Sequence, residues 1–140
     1  LGKGRVVIKA DKQKIQNGDT LTIITYGMGV YWTKSAAEKF PGQVEIIDLR
    51  TLYPLDEELI FESVKIHSRC LIVTEEPREN LFAQALSGKI QEECFNYLDA
   101  PVRVIGSENV PAVPLNSILE EHYLPNAEKV TQGINTLMLY

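Results

Sequence analysis

Five sets of residues in this sequence are of types suited to chemistry. Asp48 and Arg50 stand at the end of a short apolar run, Val44-Glu45-Ile46-Ile47-Asp48-Leu49, and Glu75 and Glu76 end a second, Leu71-Ile72-Val73-Thr74. Paired acids at the carboxyl end of a parallel strand suit general acid–base work. No histidine accompanies them, so a rim position or a salt link is the plainer reading. The two histidines, His67 and His122, each fall near the end of an expected helix, where an imidazole meets the helix dipole. Gly27 and Gly29 follow a strand, as in a dinucleotide loop, but Trp32 stands where the third glycine belongs. A strand-to-helix turn that packs closely accounts for them better. Cys70 and Cys94 are too few for a disulfide framework or a zinc site and read as free thiols packed as small hydrophobes. No metal-ligand spacing, nucleophile elbow or serine–histidine–acid arrangement is visible. No catalytic, cofactor-binding or metal-binding residue is therefore assigned.

The elements that position these groups read as one α/β domain over residues 1–140. Val44 to Leu49 is apolar and β-branched, which suits a strand covered on both faces. Thr51-Leu52-Tyr53-Pro54 turns the chain, and Asp56 caps a helix with Glu57 and Glu58 near its positive end. That helix carries Leu59, Ile60, Ser63, Val64 and His67 on one face. Upstream, Arg5 to Lys9 is a strand flanked by charge, suited to a sheet edge. The polar segment from Asp11 to Asp19, with its Asn17-Gly18-Asp19 turn signal, is expected to connect a hairpin. Leu21 to Thr25 is the next strand. A helix from about Val30 to Phe40 then places Trp32, Ala36, Ala37 and Phe40 at helical spacing. Trp32 fits either a core or a buried interface between subunits.

Downstream, Asn80 is expected to cap a helix reaching about Tyr97, with an apolar stripe of Phe82, Ala85, Leu86, Ile90 and Phe95. Val102 to Ile105 forms the last strand. Pro111 and Pro114 mark an irregular connection, and Asn116 and Ser117 precede a short helix with Ile118 and Leu119. Asn126 caps a final helix carrying Ala127, Val130, Ile134, Leu137 and Met138. Gly133 either weakens that helix or permits close packing.

Composition narrows the function classes. Of 140 residues, 44% are hydrophobic and 24% charged, enough for one core of a single domain. The net charge of −5 is spread through the chain, with no basic face for nucleic acid or a membrane surface. No apolar run approaches the roughly 20 residues of a membrane span. The chain begins Leu1-Gly2-Lys3-Gly4, so it is expected to be a fragment of something longer.

Several stretches, in order, carry a family likeness. Thr22-Ile23-Ile24-Thr25-Tyr26-Gly27, Ile47-Asp48-Leu49-Arg50-Thr51-Leu52 with Pro54-Leu55-Asp56, Val73-Thr74-Glu75-Glu76, and Gln91 through Val102 form the set. Together they resemble the C-terminal domain of transketolase-like thiamine diphosphate enzymes. The nearest likeness is to the beta subunit of the decarboxylating first component of 2-oxo acid dehydrogenases, with Gln91 to Phe95 most like branched-chain members. The resemblance implies a three-layer α/β domain with a five-stranded, mostly parallel sheet and one antiparallel edge strand, the first. It implies that thiamine diphosphate and magnesium bind on other domains, that this domain alone is inactive, and that it serves assembly. The implied neighbours are the alpha-type and pyrimidine-binding domains, a second beta subunit and the lipoyl acyltransferase core. Trp32 and the terminal Leu137, Met138, Leu139 and Tyr140 are the interface candidates. The implied location is the cytoplasm, or the mitochondrial matrix in a eukaryote. Asn80, Leu81, Ala83 and Ala85 depart from the family, which has glycines and an acid in that loop. Transketolase, deoxyxylulose phosphate synthase and a stand-alone binding module on the same fold remain the alternatives.

Overall fold

A computed structural model of the chain describes residues 1–108, 116–118 and 123–140. Five strands, β1 (Arg5–Ile8), β2 (Leu21–Thr25), β3 (Val44–Asp48), β4 (Cys70–Pro77) and β5 (Arg103–Ser107), form one sheet in the order β1-β3-β2-β4-β5. β1 runs antiparallel to β3; every other pairing is parallel. The antiparallel edge strand is thus the first, as expected. The helices are α1 (Lys12–Gln16), α2 (Gly29–Ala37), α3 (Glu57–His67), α4 (Phe82–Cys94) and α5 (Ala127–Met138), with a 3-10 turn at Phe95–Tyr97. Pro111, Pro114, Leu119 and His122 lie outside the described residues.

The period of two along each strand sorts the core into two layers. Leu21, Ile23, Val44, Ile46, Leu71 and Val73 point to one face, where Ala36 of α2 and Val130, Ile134 and Leu137 of α5 cover them. Ile24, Ile47, Cys70 and Ile72 point to the other, under Ile60 and Val64 of α3 and Ala83, Leu86, Ile90 and Cys94 of α4. β2 has parallel neighbours on both sides and is buried throughout. Gly133 serves close packing: a Cβ there would stand 2.6 Å from Ile105 Cδ1.

Three local expectations change. The segment after Asp11 is the helix α1, because the Asp11 carboxylate accepts from the Gln13 N–H at 3.3 Å and starts a turn of helix. It joins no hairpin, since both sides of β2 are taken by β3 and β4. Asn80 does not cap α4; Leu81 holds that position, while Asn80 is left-handed and donates its N–H to Gln84 Oε1 at 2.6 Å. The buried seam of α4 runs Ala83, Leu86, Ile90, Cys94. Ala85 is exposed, and Phe95, carried outward by the 3-10 turn, is 67% exposed. Asp56 caps α3 as expected, accepting from the Leu59 N–H at 3.3 Å and from the Gly4 N–H at 2.9 Å.

Candidate functional site

The carboxyl ends of the parallel strands are where open α/β sheets gather ligands and partners. Here they bring together Tyr26 after β2, Asp48 of β3, and Thr74 and Glu76 of β4. The Thr74 hydroxyl donates to Tyr26 Oη at 2.7 Å, Tyr26 donates to Glu76 Oε1, and the Glu76 N–H returns to Thr74 Oγ1 at 3.2 Å. A closed ring of this kind polarises each member. Burial and the Glu76 carboxylate hold the Tyr26 phenol protonated well above its ordinary range. Phe82 meets the Tyr26 ring edge-on at 5.8 Å. Glu75 is exposed beside the ring, so the two acids separate into a bonded one and a solvated one.

Next to the ring lies an open cleft of about 250 Å³. Leu52, Tyr53 and Leu55 form one wall, Phe82, Ala85 and Leu86 the other, and Glu57 and Lys89 pair at its mouth. Arg50, in the turn leading into it, is left-handed at φ 62°, a strained backbone for a residue with a Cβ. The two glycines of the turn after β2 do different work: Gly27 takes a left-handed backbone at φ 60° with open space where a Cβ would stand, and Gly29 serves packing. A Cβ on Gly29 would come within 2.0 Å of Thr25 Oγ1, which itself donates to the Val73 carbonyl at 2.9 Å.

The amino ends of the same strands hold a second, buried cluster. His67 does not simply face the dipole of α3. Its Nδ1 lies 2.8 Å from Thr20 Oγ1 and its Nε2 3.1 Å from Glu45 Oε2. A neutral ring protonated on Nε2 satisfies both contacts. Ser63 donates to Glu45 Oε2 at 2.7 Å and lies 2.8 Å from Thr22 Oγ1. Burial alone would raise the Glu45 carboxyl; the bonds from His67 and Ser63 outweigh it and hold the group below its ordinary value. Thr20 is 1% exposed and His67 3%, so this arrangement ties α3 to the sheet from within. Sequence alone gives no hydrogen-bonding role to Thr20, Glu45, Ser63, Arg69 or Tyr26, although Ser63 falls on the packed face of its helix and Tyr26 and Glu45 lie in stretches singled out above. The available signal was a polar residue inside an apolar strand, as at Thr22 and Glu45.

Trp32 is half-buried on α2 and packs against the α2–α5 core layer, with Met28 and Tyr31 exposed beside it in sequence. The terminal group divides. Leu137, an interface candidate, is fully buried in this domain's own core, and Met138 packs on the same layer. Leu139 and Tyr140 are 88% and 54% exposed. Both cysteines are free and buried, and burial pushes both thiols up. Among the described residues no three His, Cys, Asp or Glu side chains gather to hold a metal ion. The hydroxyls and carboxylate at the strand ends are engaged with one another. These residues do not fit a magnesium–diphosphate group.

Comparison with known proteins gives the family. The transketolase C-terminal domain matches residues 10–130. The chain is 34% identical to the 2-oxoisovalerate dehydrogenase subunit beta of Bacillus subtilis, a match covering 92% of this chain and 40% of that protein. It is 38% identical to the subunit of the same name in Pseudomonas aeruginosa, covering 96% of this chain and 38% of that protein. Among solved structures, a split-gene transketolase, an inactive beta4 tetramer, superposes with a TM-score of 0.75 at 20% identity, over 99% of this chain and 43% of the other. The chain thus spans about two-fifths of the length of these relatives. With the family matched from residue 10 to residue 130, the chain belongs to the transketolase C-terminal domain family.

Proposed function

We infer that this domain is the C-terminal part of the beta subunit of a thiamine diphosphate-dependent 2-oxo acid dehydrogenase. The observation that carries the reading is the match to two 2-oxoisovalerate dehydrogenase beta subunits across 92% and 96% of the chain. In this reading the whole enzyme decarboxylates a branched-chain 2-oxo acid and passes the acyl group to a lipoyl arm. Thiamine diphosphate and magnesium sit on its other domains. This domain serves assembly, meeting the alpha-type and pyrimidine-binding domains, a second beta subunit and the acyltransferase core. Trp32, near the exposed Met28 and Tyr31, supports a contact between beta subunits. The exposure of Leu139 and Tyr140 supports docking of the acyltransferase at the end of α5. No described helix is long and apolar enough to cross a membrane. The cytoplasm, or the mitochondrial matrix in a eukaryote, is the proposed location.

The test is an assay of the complete gene product with its alpha partner on branched-chain 2-oxo acids, pyruvate and sugar phosphates side by side. The highest kcat/KM is expected on a branched-chain acid. Preference for pyruvate would move the substrate, and turnover of sugar phosphates alone would overturn the reading.

A further inference from the structure

The two walls of the cleft are fixed to different degrees. On one side α3 starts at Asp56, whose carboxylate caps it, with Glu57 and Glu58 in its first turn. On the other side α4 starts without such support. The first N–H groups of a helix need acceptors that the helix itself cannot supply. Leu81, at the cap position of α4, has no side-chain oxygen to offer, and no acidic residue stands in the first turn. The side-chain bond at this end runs from the Asn80 N–H to Gln84 Oε1 at 2.6 Å, so it serves the residue before the cap and not the helix's own donors. Asn80 holds a left-handed backbone, and Leu81 is 45% exposed.

What holds the start of α4 is its first residue. Phe82 lines the cleft and meets the Tyr26 ring edge-on at 5.8 Å. Tyr26 is fixed in turn at its far end, where the hydroxyl accepts from Thr74 and donates to Glu76. Ala83, next along, is buried but supplies only a methyl group. An edge-on aromatic pair is worth about as much as a capping bond. Unlike a cap, it does not bind the helix backbone, so the first turn can open by parting two rings. Leu86, one turn on, is buried in the core and marks where the helix becomes fixed. We propose that the first turn of α4 is a hinged wall of the cleft, latched by the Phe82–Tyr26 contact in place of a cap. When the rings part, the turn swings out from Asn80 and the cleft widens. This device belongs to the domain itself and stands apart from the reading of the whole enzyme.

The experiment measures amide hydrogen exchange, peptide by peptide and in low urea, on the full-length protein and three variants: Phe82→Leu, Leu81→Asp and the two combined. In the parent, exchange over 81–87 should outrun exchange over 88–94 and ignore low urea, the mark of an opening that exposes little surface. Phe82→Leu removes the ring contact and should speed exchange over 81–87 about fivefold. Leu81→Asp supplies the missing cap at a backbone already extended, φ −127° and ψ −169°, and should slow it by about the same factor. The combined variant should return near the parent's rate. Exchange over 81–87 that follows urea in step with 88–94 would overturn the inference, because the turn would then open only with the whole domain. An unchanged rate in Phe82→Leu would also overturn it, as would a Leu81→Asp substitution that leaves the 81–87 rate where it was.

Discussion

At the amino ends of the parallel strands, His67, Arg69, Thr20 and Ser63 are buried and turned toward one another or toward backbone carbonyls. At the carboxyl ends, Tyr26 and Glu76 are half-buried, a cleft stays open, and Arg50 and Asn80 hold left-handed backbones. The first end ties α3 to β2 and β3 through contacts that are buried at His67, Ser63 and Thr22 and part-buried at Glu45. The second keeps polar groups that can re-solvate and an apolar cleft that a neighbour can fill. A sheet of this class concentrates its long connections, and hence its adaptable surface, at the carboxyl edge. The amino edge is therefore where deletions of polar groups should be felt most.

His67→Ala is the strongest test of that contrast. It leaves Thr20 and Glu45 short of a partner inside the protein and opens a void. A loss of about 3 kcal/mol is expected from one unmet buried hydroxyl, a weakened carboxylate and the cavity. Urea denaturation of the variant beside the parent checks it. A loss below about 1 kcal/mol would mean that the amino end is no more closed than the carboxyl end.

Tyr26→Phe makes the matching deletion at the other edge. It breaks the Thr74–Tyr26–Glu76 ring but keeps the contact with Phe82, and the Glu76 carboxylate can turn to water. The expected cost is about 1 kcal/mol by the same denaturation. A cost equal to that of His67→Ala would erase the distinction between the two ends.

The sheet was legible because its strands alternate or bury completely, as Leu21 to Thr25 and Val44 to Asp48 do. The helix starts at Asp56 and Asn126 were legible because each cap lies within three residues of the N–H it binds. The cluster around His67 was not. Its partners lie 47 and 22 residues away and meet it only through the register of β2 with β3. A helix-end histidine looks the same in sequence whether it faces solvent or two strands. Phe95 was misplaced for a related reason: the chain tightens into a 3-10 turn after Cys94, and a period of 3.6 no longer tells which side faces inward.

The smallest effect expected runs in the opposite direction. Ser68 ends α3 in the left-handed conformation, φ 61°, with its N–H on the Val64 carbonyl, a position that favours glycine. Ser68→Gly relieves the clash of Cβ with the backbone but gives the unfolded chain more freedom to lose. The balance should favour the variant by about 0.5 kcal/mol, a rise of roughly 2 °C in Tm. Because Ser68 also accepts from the Asp99 N–H at 2.8 Å through its backbone oxygen, the contact with the segment after α4 should survive. A fall in Tm would mean that the Ser68 side chain itself helps close the amino end, which would widen the difference between the two edges.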